Sequence, residues 1–208
     1  MKKYLVELIG TFFLVLVIGL TVIEPGGAGA MAPVAIGLAL MAMIYAGGHI
    51  SGAHYNPAVT LAVFVRGKCD AKDVAPYMAS QVLGGVLAAL TVSNLKGGAN
   101  VSASTLDTMS ALIAELLFTF ALAFVILNVA TAKKTEGNSY YGFAIGCTVT
   151  AGAYAVGAVS GAAFNPAVAI GVTVCGLSTW GNIWIFLIGN FAGGALAAVV
   201  FKFVCADE

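Results

Sequence analysis

Apolar residues in this chain fall in six blocks of about twenty, at roughly 4–23, 33–50, 74–95, 110–131, 140–159 and 181–204, each long enough for a helix to cross the hydrocarbon core of a bilayer. Two of the intervening stretches, 51–66 and 160–176, are too apolar for ordinary loops and too short to cross alone. Each begins with small residues, passes through Asn-Pro-Ala and continues for about ten helix-compatible residues. That pattern predicts a segment that dips into the membrane and returns as a half-helix.

The two stretches share a phrase. The first reads Ser51-Gly52-Ala53-His54-Tyr55-Asn56-Pro57-Ala58-Val59 and the second Ser160-Gly161-Ala162-Ala163-Phe164-Asn165-Pro166-Ala167-Val168. Asn caps a helix, and Pro tolerates the first helical position because its missing N–H has no partner there. Ile36-Gly37 aligns with Ile145-Gly146, Gly48 with Gly157 and Ser51 with Ser160, all at the 109-residue offset that separates Asn56 from Asn165. The Glu7-Leu8-Ile9 and Glu115-Leu116-Leu117 segments align one residue off that spacing. The chain therefore reads as one channel domain, 1–208, made of two repeats at approximately 1–100 and 108–208. Three full spans per repeat make the second copy enter from the opposite side, so the repeat is inverted. The expected fold is an all-α membrane protein with six transmembrane helices, two re-entrant half-helices and an inverted three-span repeat. The half-helices then meet N-terminus to N-terminus near midplane. Broken helix is tolerated at that depth only where protein or a water-filled cavity satisfies it, which implies a central aqueous path.

Composition agrees with the pattern and excludes other classes. Hydrophobic residues make up 61 % of the chain and charged residues 9 %, against roughly a quarter charged in soluble domains. Lipid must therefore be the solvent for most of the surface. The formal net charge is zero, so nothing points to a nucleic-acid partner. Cys69, Cys147, Cys175 and Cys205 show no CxxC spacing and read as small apolar fillers. Lys2-Lys3 before an apolar run resembles a signal peptide, but the run is long enough to span and carries no cleavage-site pattern, so it reads as a retained helix. Numbering the spans from an inside N-terminus places Lys2, Lys3, Arg66, Lys68, Lys72, Lys133, Lys134 and Lys202 on one side and only Lys96 on the other. Both termini are expected to be cytoplasmic.

These residues resemble the aquaporin (major intrinsic protein) family over essentially the whole chain. The pieces that carry the likeness are Glu7-x-x-Gly10-Thr11-Phe12, the stretch from Gly48 to Thr60, the second phrase from Ser160 to Ala167, and Gly193-Gly194-Ala195. The resemblance implies a homotetramer in the bilayer, each subunit with its own pore for water or small neutral solutes, and no cofactor. It also implies two constrictions. One is the paired Asn-Pro-Ala zone of Asn56, Pro57, Ala58, Asn165, Pro166 and Ala167. The other is a selectivity filter nearer the outside, whose four positions fall on Ile36, Ala153, Ala162 and Val168.

Asn56 and Asn165 each offer an amide donor to a passing oxygen, and each half-helix adds about half a positive charge at its start. Two such ends facing each other repel cations and interrupt a chain of water donors and acceptors. Their alternative role is simple capping. Glu7 and Glu115 are acids in apolar spans, where burial is costly. A proton relay is one reading, and accepting hydrogen bonds from the re-entrant loops is the favoured one. His49 and His54 flank the first loop and are expected to support it, as structural or gating residues, since no further ligands accompany them in a metal-site spacing. Tyr45 and the charges of 66–73 are further gating candidates.

The chain also departs from its family. Val168 stands where Arg is usual, Ala153 where many strict water channels have His, and Ile36 where an aromatic is frequent. Losing Arg removes a fixed charge and several donors. The expected filter is wide and apolar. Its Val resembles some tonoplast-type members, which implies urea, ammonia or hydrogen peroxide as solutes. Ala169 stands where glycerol facilitators carry Asp, and Asn190 stands where many members have Pro. A strict water channel is the alternative. A membrane enzyme lacks a nucleophile–base pair or metal constellation. A non-conducting scaffold lacks large extramembrane segments. An ion-coupled transporter is poorly served by two facing positive helix ends.

Overall fold

Eight α-helices carry the described residues. The computed structural model describes residues 1–97 and 101–206, so the boundary expected near residue 100 lies outside the described residues. In chain order the helices are α1 (Lys2–Val22), α2 (Ala32–Ser51), α3 (Pro57–Val65), α4 (Ala71–Leu95), α5 (Thr108–Thr131), α6 (Tyr141–Ser160), α7 (Pro166–Val174) and α8 (Ile183–Val204). Six of them hold 20 to 25 residues and are apolar enough to cross a membrane. At 1.5 Å per residue, 20 residues give about 30 Å, the thickness of the hydrocarbon core. The two nine-residue helices, α3 and α7, reach less than half that distance.

The helices are apolar outside and selectively polar inside. Leu5, Ile9 and Phe13 on α1, and Leu83, Leu87 and Leu90 on α4, face outward. Glu7, Thr11, Gln81, Glu115, Thr119 and Asn190 are instead fully buried. In a bilayer the outward face needs no polar cover, so polar groups gather where they partner one another.

Packing follows glycines. α4 lies against α1 because a Cβ on Gly84 would collide with Leu8 O, and α8 lies against α5 because one on Gly193 would sit 2.5 Å from Leu116 O. α2 meets α6 through Gly37 and Gly146, where a Cβ on either would come within 2.6 Å of the other's carbonyl oxygen. These close approaches are the small-residue contacts expected of helices associating in lipid.

Ends are fixed by local chemistry. α5 starts at Asp107, whose Oδ1 accepts from Ser110 N at 2.9 Å. Its hydrogen bonds with the Ser110 side chain and backbone hold the Asp107 carboxyl below the usual range. A depressed folded value means the cap contributes at neutral pH and is lost as pH falls through that value. Comparing wild type with Asp107→Asn in detergent should show the wild-type melting advantage shrinking in acid. A constant difference across the titration would refute the assignment.

Candidate functional site

Between α2 and α3, and again between α6 and α7, the chain turns without helix through five residues. α2 ends at Gly52 and α6 at Gly161, both with left-handed φ near the value glycine favours, 86° and 88°. Four non-glycine residues follow in the same region: Ala53, Tyr55 and Phe164 at φ 49°, and Ala162 at 53°. Each costs about 1–3 kcal/mol and persists only when its surroundings over-determine it.

Glu7 and Glu115 supply that constraint. Glu7 Oε1 accepts from Ser51 Oγ at 2.6 Å and His54 N at 3.0 Å, and its Oε2 from Tyr55 N at 2.6 Å and Gln81 Nε2 at 2.8 Å. Glu115 Oε1 accepts from Ser160 Oγ at 2.7 Å and Ala163 N at 3.0 Å, and its Oε2 from Phe164 N and Asn190 Nδ2, both at 2.7 Å. Each carboxylate thus meets four donors with its four lone-pair positions. Ser51 Oγ and Ser160 Oγ accept in turn from Ala53 N and Ala162 N. Hydrogen bonds to a charged group contribute about 1.5–3 kcal/mol each, enough for the two backbone bonds to offset two strained residues per loop.

The loops end at the two Asn residues, which adopt extended backbone as helix caps. Asn56 Oδ1 accepts from Ala58 N at 2.9 Å and Val59 N at 3.4 Å; Asn165 Oδ1 does the same with Ala167 N and Val168 N. Their amide nitrogens cross over. Asn56 Nδ2 donates to Phe164 O and Asn165 Nδ2 to Tyr55 O, both at 2.8 Å. One hydrogen of each amide is thereby committed to the opposite loop, and one is left. Glycines seat the caps from the other half: a Cβ on Gly85 of α4 would lie 2.7 Å from Ala167 O, and one on Gly194 of α8 would lie 2.6 Å from Ala58 O.

A cavity of about 360 Å³ runs through this junction. Asn56, Asn165 and His54 line it, and so do all four positions expected of the filter, Ile36, Ala153, Ala162 and Val168. Ile36 and Val168 are buried, while Ala153 and Ala162 are half-buried. Further along, the cavity reaches Thr21, Glu24 and Leu177. Ile36, Ala153, Ala162 and Val168 give it an apolar stretch of wall, and Asn56 and Asn165 place amide groups at the paired caps.

His54 and His49 part company. His54 is buried, its Nδ1 lies 3.1 Å from Thr60 Oγ1, and its ring packs at 5.0 Å from Tyr77. Its counterpart in the second repeat is Ala163, so this wall of the cavity is not symmetric. His49 is exposed on the last turn of α2 and does not support the loop, contrary to the sequence expectation. The reason is helical phase: Ser51 points inward to Glu7, and residue 49 lies about 200° around the helix from it. The charges of 66–73 do not form one cluster either. Asp73 pairs with Lys3 and accepts from Tyr4 Oη at 2.6 Å, Lys72 meets Asp70 on the surface, and Arg66 stacks over Phe201 at 4.9 Å. Tyr45 Oη donates to Ser139 O at 2.9 Å and accepts from Phe143 N, tying α2 to the start of α6.

Gln81 and Asn190 are the members of the site that sequence reading left out or left without a role. They hold equivalent places in the two clamps, and their numbers differ by the repeat offset of 109. Gln81-x-x-Gly84-Gly85 and Asn190-x-x-Gly193-Gly194 are the same phrase, and that spacing was the available signal. Gln81 Nε2 also donates to Thr60 Oγ1 on the half-helix, whereas the shorter Asn190 donates to Thr119 Oγ1 on α5, both at 3.0 Å.

Comparison with known proteins agrees with this architecture. Residues 1–201 match the family model described as Major intrinsic protein. Aquaporin NIP1-1 of Oryza sativa subsp. japonica is 37 % identical over 212 residues, covering 98 % of this chain and 74 % of that protein. Glycerol uptake facilitator protein-like 6 of Lactiplantibacillus plantarum is 34 % identical over 218 residues, covering both chains in full. The aquaglyceroporin from Plasmodium falciparum superposes with a TM-score of 0.82 at 22 % identity, over 99 % of this chain and 97 % of that one, which is a likeness of fold. With its six apolar spans, paired half-helices and a family match over nearly its whole length, the chain belongs to the major intrinsic protein family of multi-pass membrane channels.

Proposed function

We propose that the chain is a single-domain passive channel for water and small neutral solutes, with both termini cytoplasmic and each subunit of a homotetramer carrying its own pore. The observation that carries this reading is the one cavity lined by Asn56, Asn165 and the four apolar positions Ile36, Ala153, Ala162 and Val168. Each Asn keeps one amide hydrogen for a passing oxygen. The starts of α3 and α7, each worth about half a positive charge, repel cations at the same level. A proton relay through Glu7 or Glu115 is poorly served, because four donors already occupy each carboxylate.

On the outer side of the paired Asn zone, the apolar ring works as the selectivity filter. Water sheds hydrogen bonds there without replacement, while a larger neutral molecule meets small side chains at Ala153 and Ala162. Urea, ammonia, hydrogen peroxide and glycerol are the solutes this reading names. Val168→Arg adds a long side chain and a fixed charge to the ring. In reconstituted vesicles it should slow urea and glycerol about tenfold, an added barrier of about 1.4 kcal/mol, while water permeability changes little. An unchanged solute-to-water ratio would show that Val168 is not in the filter. A wild type that passes water but none of the four solutes would establish the strict water channel instead.

A further inference from the structure

We infer that Asn190 is a positioning residue for the constriction beside Val168, and that it sets how large a solute passes there. The inference rests on the filter reading above and deepens it by naming what holds one wall in place. Asn190 is fully buried in α8 and touches no part of the re-entrant loop by hydrogen bond. Its amide donates to Glu115 Oε2 at 2.7 Å, and that same oxygen accepts from Phe164 N at 2.7 Å. The other carboxylate oxygen holds Ala163 N and Ser160 Oγ, and Ser160 Oγ holds Ala162 N at 3.1 Å. One amide therefore acts through one carboxylate on three consecutive peptide groups. Ala162, a cavity-lining residue in left-handed backbone, is the first of them.

The amide's own oxygen separates positioning from mere packing. Asn190 Oδ1 is buried without a hydrogen-bond partner, as is Gln81 Oε1 in the other clamp. An unpartnered buried carbonyl destabilises the fold, and a leucine of nearly the same shape would carry no such penalty. What the amide supplies and leucine cannot is a directed donor on Glu115. Thr119 Oγ1, 3.0 Å from the same nitrogen, fixes the plane of the amide so that one N–H must point at the carboxylate. Gly189 and Gly193 bring α8 close enough to α5 for so short a side chain to reach.

The test is the ratio of urea to water permeability in vesicles holding equal amounts of folded protein, for Asn190→Leu, Asn190→Gln and Val168→Arg. Asn190→Leu should fold and shift the ratio about threefold or more, while Asn190→Gln, which restores a donor, moves it back toward wild type. If Asn190→Leu fails to fold, Asn190→Ala gives the same readout without an unpartnered carbonyl. An unchanged ratio in the Asn190 variants alongside a changed one in Val168→Arg overturns the positioning role and leaves the filter standing. An unchanged ratio in all of them overturns the filter reading, and the inference falls with it.

Discussion

Replacing Glu115 by Ala should leave no well-folded channel. The side chain is fully buried and receives Ser160 Oγ, Ala163 N, Phe164 N and Asn190 Nδ2. Removing it strands four donors at once in an interior without bulk water. At about 1–3 kcal/mol for each unsatisfied group, the loss is of the order of 4–12 kcal/mol, comparable with the whole stability of many domains. The strained backbone of Ala162 and Phe164 loses its constraint in the same stroke. Glu115→Gln should be milder, because one oxygen remains, yet its NH2 faces groups that are themselves donors. Size-exclusion profiles and melting curves in detergent would rank the three proteins as wild type, Gln, then Ala. A Glu115→Ala protein melting within a few degrees of wild type would contradict the clamp.

Gly193→Val should separate α8 from α5 and abolish transport. A Cβ there would lie 2.5 Å from Leu116 O, 2.9 Å from Phe120 N and 3.0 Å from Thr119 Cβ. Two of these atoms are backbone, so no rotamer change relieves the clash, and the helices must part. Overpacking of this kind costs about 1–3 kcal/mol where side chains can adapt, and more where they cannot. Parting the helices also draws Asn190 away from Glu115. Gly48→Ala is the matched comparison, since its Cβ would meet the Tyr141 ring at 3.6 Å, an ordinary contact between α2 and α6. That variant should retain its melting temperature and water flux. Equal behaviour of the two variants would mean that close approach at Gly193 is not what joins α8 to α5.

Most of the scaffold was readable because the bilayer imposes a single length and a single polarity on each span. The helices fall within a few residues of the apolar blocks, and Asn-Pro marked the start of both half-helices where the caps now lie. Glu7 and Glu115 stood out because an acid in an apolar run demands partners. Gln81 did not, and Asn190 stood out only as a departure from the family with no role attached, since their link appears only when repeat spacing is carried through α4 and α8. The crossing bonds from Asn56 and Asn165 were not readable at all. They join segments about a hundred residues apart, and no local pattern records which carbonyl an amide will find. His49 misled for a different reason, because nearness in sequence to Ser51 says nothing of the side of the helix it occupies.

The glycine seats have a consequence for how the protein is made. Ala58, at the start of α3, rests on Gly194 of α8, which lies 136 positions later in the chain (58 to 194). A ribosome working from the N-terminus delivers the first half-helix long before the surface it docks against. Until α8 is inserted, α3 lacks this seat, and the bond from Asn56 Nδ2 must likewise wait for Phe164 in the second half. Biosynthesis must therefore hold an unfinished, partly polar segment in the membrane through five further helices. The stretch that closes the centre is thus translated well after the half-helix it seats.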